Sequence, residues 1–485
     1  MKFKMINNIE IHPSTKIGLI ALLLKPIRLF AELYKLLEPQ FSLISNSIYT
    51  DLYMKERFMW LSDFFLETFQ EIYGFNSHNH PHLLEKIKQV IDNEDDSNVL
   101  YLSLFKGVAD YLALNRKIAL RLLAPLRIDR YIITAKPQNP ICDALENPQR
   151  ENLGTDLHDL TDIFKYISVI KDLNLDINII KNETLNRTCS YLKFRAKNGF
   201  KIAVTPFMQQ IAFDFDSQLH NWPPTEKTPY WFNKIANLEE AKLWLVEKIL
   251  QPCLEREVDV LVLPELSIDE SLLDFLKNWL RANNKGRISP GNPQLLLIVA
   301  GSFHFENFDH QRFNMATVLN HSGDILWTQN KLKRFSFDQD DLQKNPALQT
   351  LLKTSSAGGY ESIYETGAIC FADTPIGRIS VCICIDFFHK EHLDAYFQAG
   401  INVFLVPAMS PYNIRFLQNA GIFARDNLAS SFVSNNGYAA KKSGAGIHES
   451  GASFYFLPRK GENGVPATGE NSHLLIFDIN KLIKS

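Results

Sequence analysis

Arg378-Ile379-Ser380-Val381-Cys382-Ile383-Cys384-Ile385-Asp386 carries an apolar run into a cysteine and an acid, and His389 to Phe397 beyond it has helical spacing. Such a run suits a strand buried on both faces, as in a sheet covered by helices. Side chains alternate along a strand, so Cys382 and Cys384 would share a face if the strand ran through both. A turn at Cys384 separates their roles. Cys382 then stays an inert core thiol, while Cys384 stands at the top of the sheet beside backbone N–H groups and a helix N-terminus. That setting favours thiolate over thiol.

Working outward, the same alternation recurs from Phe200 onward. Lys201 to Thr205, Val258 to Leu263, Leu295 to Ala300, Ala316 to Leu319 and Val403 to Val406 read as strands, and Asn237 to Glu255 as an amphipathic helix. Strands alternating with helices indicate a layered α/β domain. Residues 1 to about 135 have a different character. Apolar residues recur at helical spacing through Leu29, Phe30, Leu33, Leu36 and Leu37, through Phe64, Phe65, Phe69 and Ile72, and from Val99 to Leu123. The apolar run Ile17 to Leu24 ends at Lys25-Pro26, short of the roughly 20 residues a membrane span needs, and reads as a buried helix. The chain therefore divides into a helical accessory domain (1–135), a linker and mixed segment (136–199), and an α/β domain (200–485).

Composition agrees with a multidomain globular protein. The chain has 485 residues, 46% of them hydrophobic, enough for at least two cores. A net charge of −3 argues against a nucleic-acid or anionic-membrane binder. Six irregularly spaced cysteines do not make a disulfide framework and point to a reducing, cytoplasmic setting.

Two further residues follow strands, where α/β sheets place their chemistry. Glu265, in Val262-Leu263-Pro264-Glu265-Leu266, is a carboxylate directly after a buried strand, which is costly unless paired or used. Lys331 follows Gly323-Asp324-Ile325-Leu326-Trp327, a turn and then a strand, with Lys333 as its rival and Arg334 alongside. Taken singly, each has a plain reading: a capping acid, a solvated lysine, a core cysteine.

Together they resemble one family. Glu265, Lys331 and Cys384 have the chain order of the nitrilase superfamily, the carbon–nitrogen hydrolases. Lys331 lies eight residues beyond Gly323, and Asp386 takes the acid position of the cysteine motif. Ala300-Gly301-Ser302, Phe313-Asn314-Met315-Ala316, Thr366-Gly367, Ala372 to Gly377, Gly400 to Ser410, Arg425 and Gly451-Ala452-Ser453 with Pro458 extend the likeness from Lys201 to Leu482. The departures mark a divergent member. Ile385 replaces an aromatic, Gln329 stands two residues before the lysine, and Leu428-Ala429 replaces a Glu-Asn pair. The second active-site glutamate common about eight residues past the lysine has no counterpart among Asp338, Gln339, Asp340 and Asp341.

The resemblance implies an α-β-β-α sandwich that associates into four layers, a homodimer or larger oligomer, and hydrolysis of a small amide-type C–N bond, with nitrile or carbamoyl groups as variants. Glu265 would be the general base, Cys384 the nucleophile, and Lys331 with the Ile385 backbone N–H the oxyanion donors. No metal or cofactor is required. His78, His80 and His82 match no zinc spacing, and His158-Asp159 is isolated. The basic stretch Lys106, Arg116, Lys117, Arg121, Arg127, Arg130, Lys136 reads as a solvated helix face or a docking surface for an acidic partner or nucleic acid. An alternative function is a nitrilase-fold effector or regulatory module of a larger, bacterial-defence-type assembly whose helical region binds a protein partner.

Overall fold

The computed structural model describes residues 33–34, 37, 52–73, 80–94, 97–114, 126–128, 131–135, 140–141, 167–171, 176–207, 211–215, 223, 225–284, 295–344, 354–365, 367–410, 413–436, 453–458 and 474–479. Expectations for the 17–24 helix, most of the 29–37 stretch, His78, the basic residues 116–121, the linker with His158-Asp159, and Gly451-Ala452 lie outside them. The chain forms two compact units, 1–136 with 148–172 and 137–147 with 173–485.

The first unit contains the helices Leu52–Tyr73, His80–Asn93 and Ser97–Leu114. Phe65, Phe69, Leu102, Phe105 and Val108 are buried in it. It is not helical to residue 135. Leu126–Ile128 and Tyr131–Ala135 are strands, and with Ile167–Lys171 they make an antiparallel three-stranded sheet. The β-branched and aromatic residues of Tyr131-Ile132-Ile133-Thr134 favour the extended state. No helix among the described residues is long and apolar enough to cross a membrane.

The second unit is an α-β-β-α sandwich. One six-stranded sheet has the order Ile325–Asn330, Arg312–Asn320, Leu297–Glu306, Val260–Val262, Lys201–Val204, Leu475–Asp478. The other has the order Phe454–Phe456, Ser430–Asn435, Val403–Ala408, Gly377–Val381, Ala368–Thr374, Asp176–Ile179. The edge strand Asp176–Ile179 and the helix Glu183–Asn198 come from the segment read as mixed. The sheets meet face to face: Ser434 Oγ donates to the Thr205 carbonyl at 2.6 Å, and the Phe432 and Phe477 rings lie 5.4 Å apart. Val260, Leu261 and Val262 are wholly buried, as a strand covered on both faces must be. Leu261 shares one buried apolar cluster with Leu245, Ile249, Leu272 and Leu276 of the covering helices.

The helix read as Asn237 to Glu255 runs as Leu238–Trp244, a π-turn Leu245–Leu250, and Gln251–Glu255. The π-turn lies just ahead of Pro252, whose missing N–H and bulky ring disturb the α-helical ladder. On the opposite face, Lys390–Ala399 and Ile414–Asp426 cover the second sheet through packed rings: Phe423 lies 4.3 Å from Phe404, 4.9 Å from Phe397 and 5.4 Å from Phe387. Phe423→Ala should therefore cost about 3–5 kcal/mol in denaturant unfolding. Arg425→Ala, on the same helix but at the surface, should change stability by no more than about 0.5 kcal/mol. Equal effects would mean that the ring cluster does not hold this layer.

Candidate active site

Glu265 leaves the end of Val260–Val262 and is pinned between the two sheets. Its N–H donates to the Ala408 carbonyl at 3.3 Å, and its carbonyl accepts from Asn436 Nδ2 at 3.3 Å. Beside it, the strand Leu297–Glu306 bulges between Val299 and Ser302. Gly301 has φ +58°, and a Cβ there would meet the Pro264 carbonyl at 2.3 Å, so only glycine lets the strands close around Glu265.

Lys331 follows the strand Ile325–Asn330, and its N–H donates to the Asn314 carbonyl at 2.7 Å. The next two N–H groups, of Leu332 and Lys333, each donate to an Asp386 oxygen at 2.9 Å. Asp386 belongs to the turn Cys384–Phe387, so the loop after the lysine is bolted to the turn that carries the cysteine. Burial lifts the Asp386 carboxyl to about 8 against the pull of those N–H groups. Lys333, the rival lysine, turns away to Glu365 at 3.6 Å.

Cys384 opens that turn with φ 50°, in the left-handed region, a strained conformation for a non-glycine residue that concentrates at functional sites. Cys382 is a wholly buried thiol, and burial pushes its pKa well up. The turn thus separates the two cysteines.

The structure brings Glu265, Lys331 and Cys384 together and adds a fourth group, Glu361. Lys331 Nζ lies 2.7 Å from Glu265 Oε1 and 2.6 Å from Glu361 Oε2, with all three side chains buried. Glu361 Oε1 accepts from Asn314 Nδ2 at 2.7 Å and contacts His304 Nε2 at 3.0 Å, while Oε2 also accepts from the Phe335 N–H at 3.1 Å. Asn314 Nδ2 also donates to Glu265 Oε1 at 3.0 Å. Glu361 is therefore saturated with donors. Glu265 Oε2 carries no nitrogen donor among the described residues, and the Glu265 charge acts on the buried Cys384 thiol, raising its pKa.

Burial would lower the Lys331 pKa, but Glu265 and Glu361 outweigh it and hold the ammonium charged well above its usual range. Burial would raise Glu361, but Lys331 and His304 depress it. Burial, reinforced by Glu265, pushes the Cys384 thiol well above its ordinary value, with Lys331 and the Met409 N–H opposing. This corrects the expectation of a resting thiolate: the turn supplies too little positive field to offset desolvation and a facing carboxylate.

Glu361 escaped sequence reading because the expected glutamate was sought close behind Lys331, whereas 30 residues separate the two. The available signal was an acid following Gly358-Gly359-Tyr360, in a strand paired to Thr228–Tyr230. Asp338 and Asp341 are exposed and cap each other's N–H groups. Arg425 does not join the site; it pairs with Asp426 at the surface. Gln329, one of the departures, stitches the edge strand Ile325–Asn330 to the strand Ala368–Thr374 of the other sheet, donating to the Ala368 carbonyl and accepting from the Cys370 N–H. His82 is exposed, and no metal-holding cluster occurs among the described residues.

No family model matches the chain, and no curated protein does. Similar solved structures include Saccharomyces cerevisiae Nit3, described as a member of branch 10 of the nitrilase superfamily (16% identity, 59% of this chain, 92% of that one, TM-score 0.37). An amidase from Nesterenkonia sp. is similar over 57% of this chain and 89% of its own (16% identity, TM-score 0.36). The C. elegans NitFhit protein is similar over 59% and 62% (15% identity, TM-score 0.37).

The raised thiol has a direct consequence. Alkylation of Cys384 by iodoacetamide, followed by peptide mass, should keep accelerating past pH 9, above the ordinary thiol midpoint of about 8.5. A rate that levels off below pH 7 would mean a resting thiolate.

Proposed function

We propose that the chain is a carbon–nitrogen hydrolase that cleaves a small amide through a thioester on Cys384. One observation carries this reading: a buried ammonium gripped by two carboxylates, one saturated with donors and the other open toward a thiol. Nothing in that set is needed for packing alone, since replacing such a group by apolar residues commonly leaves stability unchanged or improved.

The chemistry follows from the hydrogen bonds. Two of the three Lys331 protons are committed to Glu265 and Glu361, leaving the third for the oxyanion of a bound substrate. Glu265 takes the Cys384 proton as sulfur bonds to the carbonyl carbon. The tetrahedral oxyanion is held by Lys331 and the Ile385 N–H, near the start of its turn where backbone donors lack helical partners. Glu265 passes its proton to the leaving nitrogen, the C–N bond breaks, and the amine departs. Water then loses a proton to Glu265 and attacks the thioester; the acid leaves and the proton returns to sulfur. A single base serves both halves because Glu361, with four donors, has no lone pair free for proton transfer.

Two further proposals concern assembly. The second unit associates with a copy of itself, a twofold pair being the commonest closed assembly. The first unit serves protein contacts and not bond cleavage; Met59 and Trp60 are more than half exposed on its helix Leu52–Tyr73. Sedimentation velocity at micromolar concentration should give a mass of at least two chains, and a monomer would end the first of these.

The function itself is tested by intact mass after incubation with simple amides, nitriles and carbamoyl compounds. At least one should leave an acyl adduct on Cys384, retained in Cys382→Ala. Cys384→Ala should lose turnover on the order of 10⁶-fold, and Lys331→Met about 10²–10³-fold. Turnover that persists in Cys384→Ala, or a panel that leaves Cys384 unmodified and unconsumed, would overturn the reading.

A further inference from the structure

We infer that His304 is a positioning residue of this site: its neutral imidazole, locked in one tautomer by the Phe232 backbone, holds Glu361 so that Lys331 keeps a proton for the substrate. The inference rests on the hydrolase reading above for its kinetic consequence, though not for its geometry.

His304 projects from the strand Leu297–Glu306, opposite Asn314 in the ladder. Its side chain is wholly buried. Two rings fix the imidazole plane: Trp231 stacks on it at 4.3 Å and 10°, and Phe232 at 5.4 Å and 14°. The Phe232 N–H donates to Nδ1 at 2.8 Å. A nitrogen accepting a hydrogen bond carries no proton, so in the neutral ring the proton must sit on Nε2. Nε2 lies 3.0 Å from Glu361 Oε1 and donates to it. A second proton, on Nδ1, would face the Phe232 N–H and cost that bond. Burial also disfavours the cation, although Glu361 favours it. The titratable groups around the ring are Glu361, Glu265, Lys331 and Tyr230, with Arg312 beyond the Trp231 ring at 4.9 Å.

The donor count shows why this bond matters. Asn314 has two amide protons and spends one on each carboxylate, so it cannot replace His304. Without His304, Oε1 of Glu361 is short of a donor in a buried site. The nearest available proton is the third one on Lys331, and the carboxylate would turn to take it. That proton is the one the oxyanion needs, so the loss falls on the transition state and lowers kcat while KM stays near its original value.

A purely structural His304 would act through ring packing alone, and substitutions separate the two roles. Glutamine can place its amide nitrogen near the Nε2 position, keeping the donor to Glu361. Asparagine can place its oxygen near Nδ1, keeping the acceptor for Phe232 but removing that donor. His304→Asn should lower kcat about 10²-fold, the scale of a misplaced catalytic group, with KM changed less than about threefold. His304→Gln should restore kcat to within about fivefold of the wild type. Equal kcat in wild type and His304→Asn, or equal losses in both variants, would overturn the inference while acyl transfer to Cys384 in the wild type keeps the hydrolase reading standing. An independent arm needs no substrate and no activity: ¹⁵N shifts of the His304 ring in the full-length wild type, assigned through bonds from the backbone resonances. The Nε2–H tautomer should persist from pH 8 to pH 6. An Nδ1–H tautomer or an imidazolium at pH 7 overturns the inference whatever the enzyme's activity.

Discussion

The ammonium of Lys331, buried between the carboxylates of Glu265 and Glu361, is the interaction on which the rest of the site depends. An unpaired charge at this depth would cost several kcal/mol, and removing one member of such a group commonly costs about 3–5 kcal/mol. The three side chains therefore have to arrive together. Each comes from a different place: Glu265 from the end of a central strand, Lys331 from the end of an edge strand, Glu361 from a short strand outside both large sheets. The sandwich is the scaffold that makes these three ends coincide.

What holds them is mostly backbone hydrogen bonding to fixed acceptors. Asp386 takes the N–H groups of Leu332 and Lys333, so the lysine cannot move without the cysteine turn. Glu265 is tied through its own peptide groups to Ala408, in a strand of the opposite sheet, and to Asn436, just past the strand beside it. Cys384 is held in a left-handed conformation that the surrounding contacts must over-determine. Strain at the sulfur and rigidity around it belong to one design: a thiol that must meet a carboxylate and an incoming carbonyl has little freedom to search.

Much of this was legible in the sequence, and the parts that were not share a cause. Continuous apolar runs such as Val258 to Leu263 identify buried strands, and residues just past them, Glu265 and Cys384, stand where a sheet ends. The π-turn before Pro252 could be anticipated as a disturbance but not as its type. The strands Leu126–Ile128 and Tyr131–Ala135 were hidden by the helical pattern that precedes them. Glu361 was invisible because its partners, Lys331, Asn314 and His304, are 30, 47 and 57 residues away, and hydrogen-bond saturation is a property of three-dimensional neighbours alone. The state of the Cys384 thiol failed for the same reason. Helix ends and N–H groups can be read locally; desolvation and a facing carboxylate cannot.

The two glutamates show how one residue type is divided between two tasks. Glu361 receives donors on both oxygens, so its charge is fully spent on neighbours and its pKa is driven down; it can orient Lys331 but cannot exchange a proton. Glu265 shares one oxygen with Lys331 and Asn314 and leaves the other without a nitrogen donor among the described residues. Proton transfer needs an acceptor with an open lone pair, and transition-state stabilisation needs a cation that does not drift toward its base. A single carboxylate facing Lys331 would serve both needs badly, since the ammonium would settle onto it and occupy the lone pair the thiol requires. The second carboxylate draws the ammonium off the first. On this view Glu361 is what leaves Glu265 free to act, and the donors behind Glu361 are as much a part of the site as the groups facing the substrate.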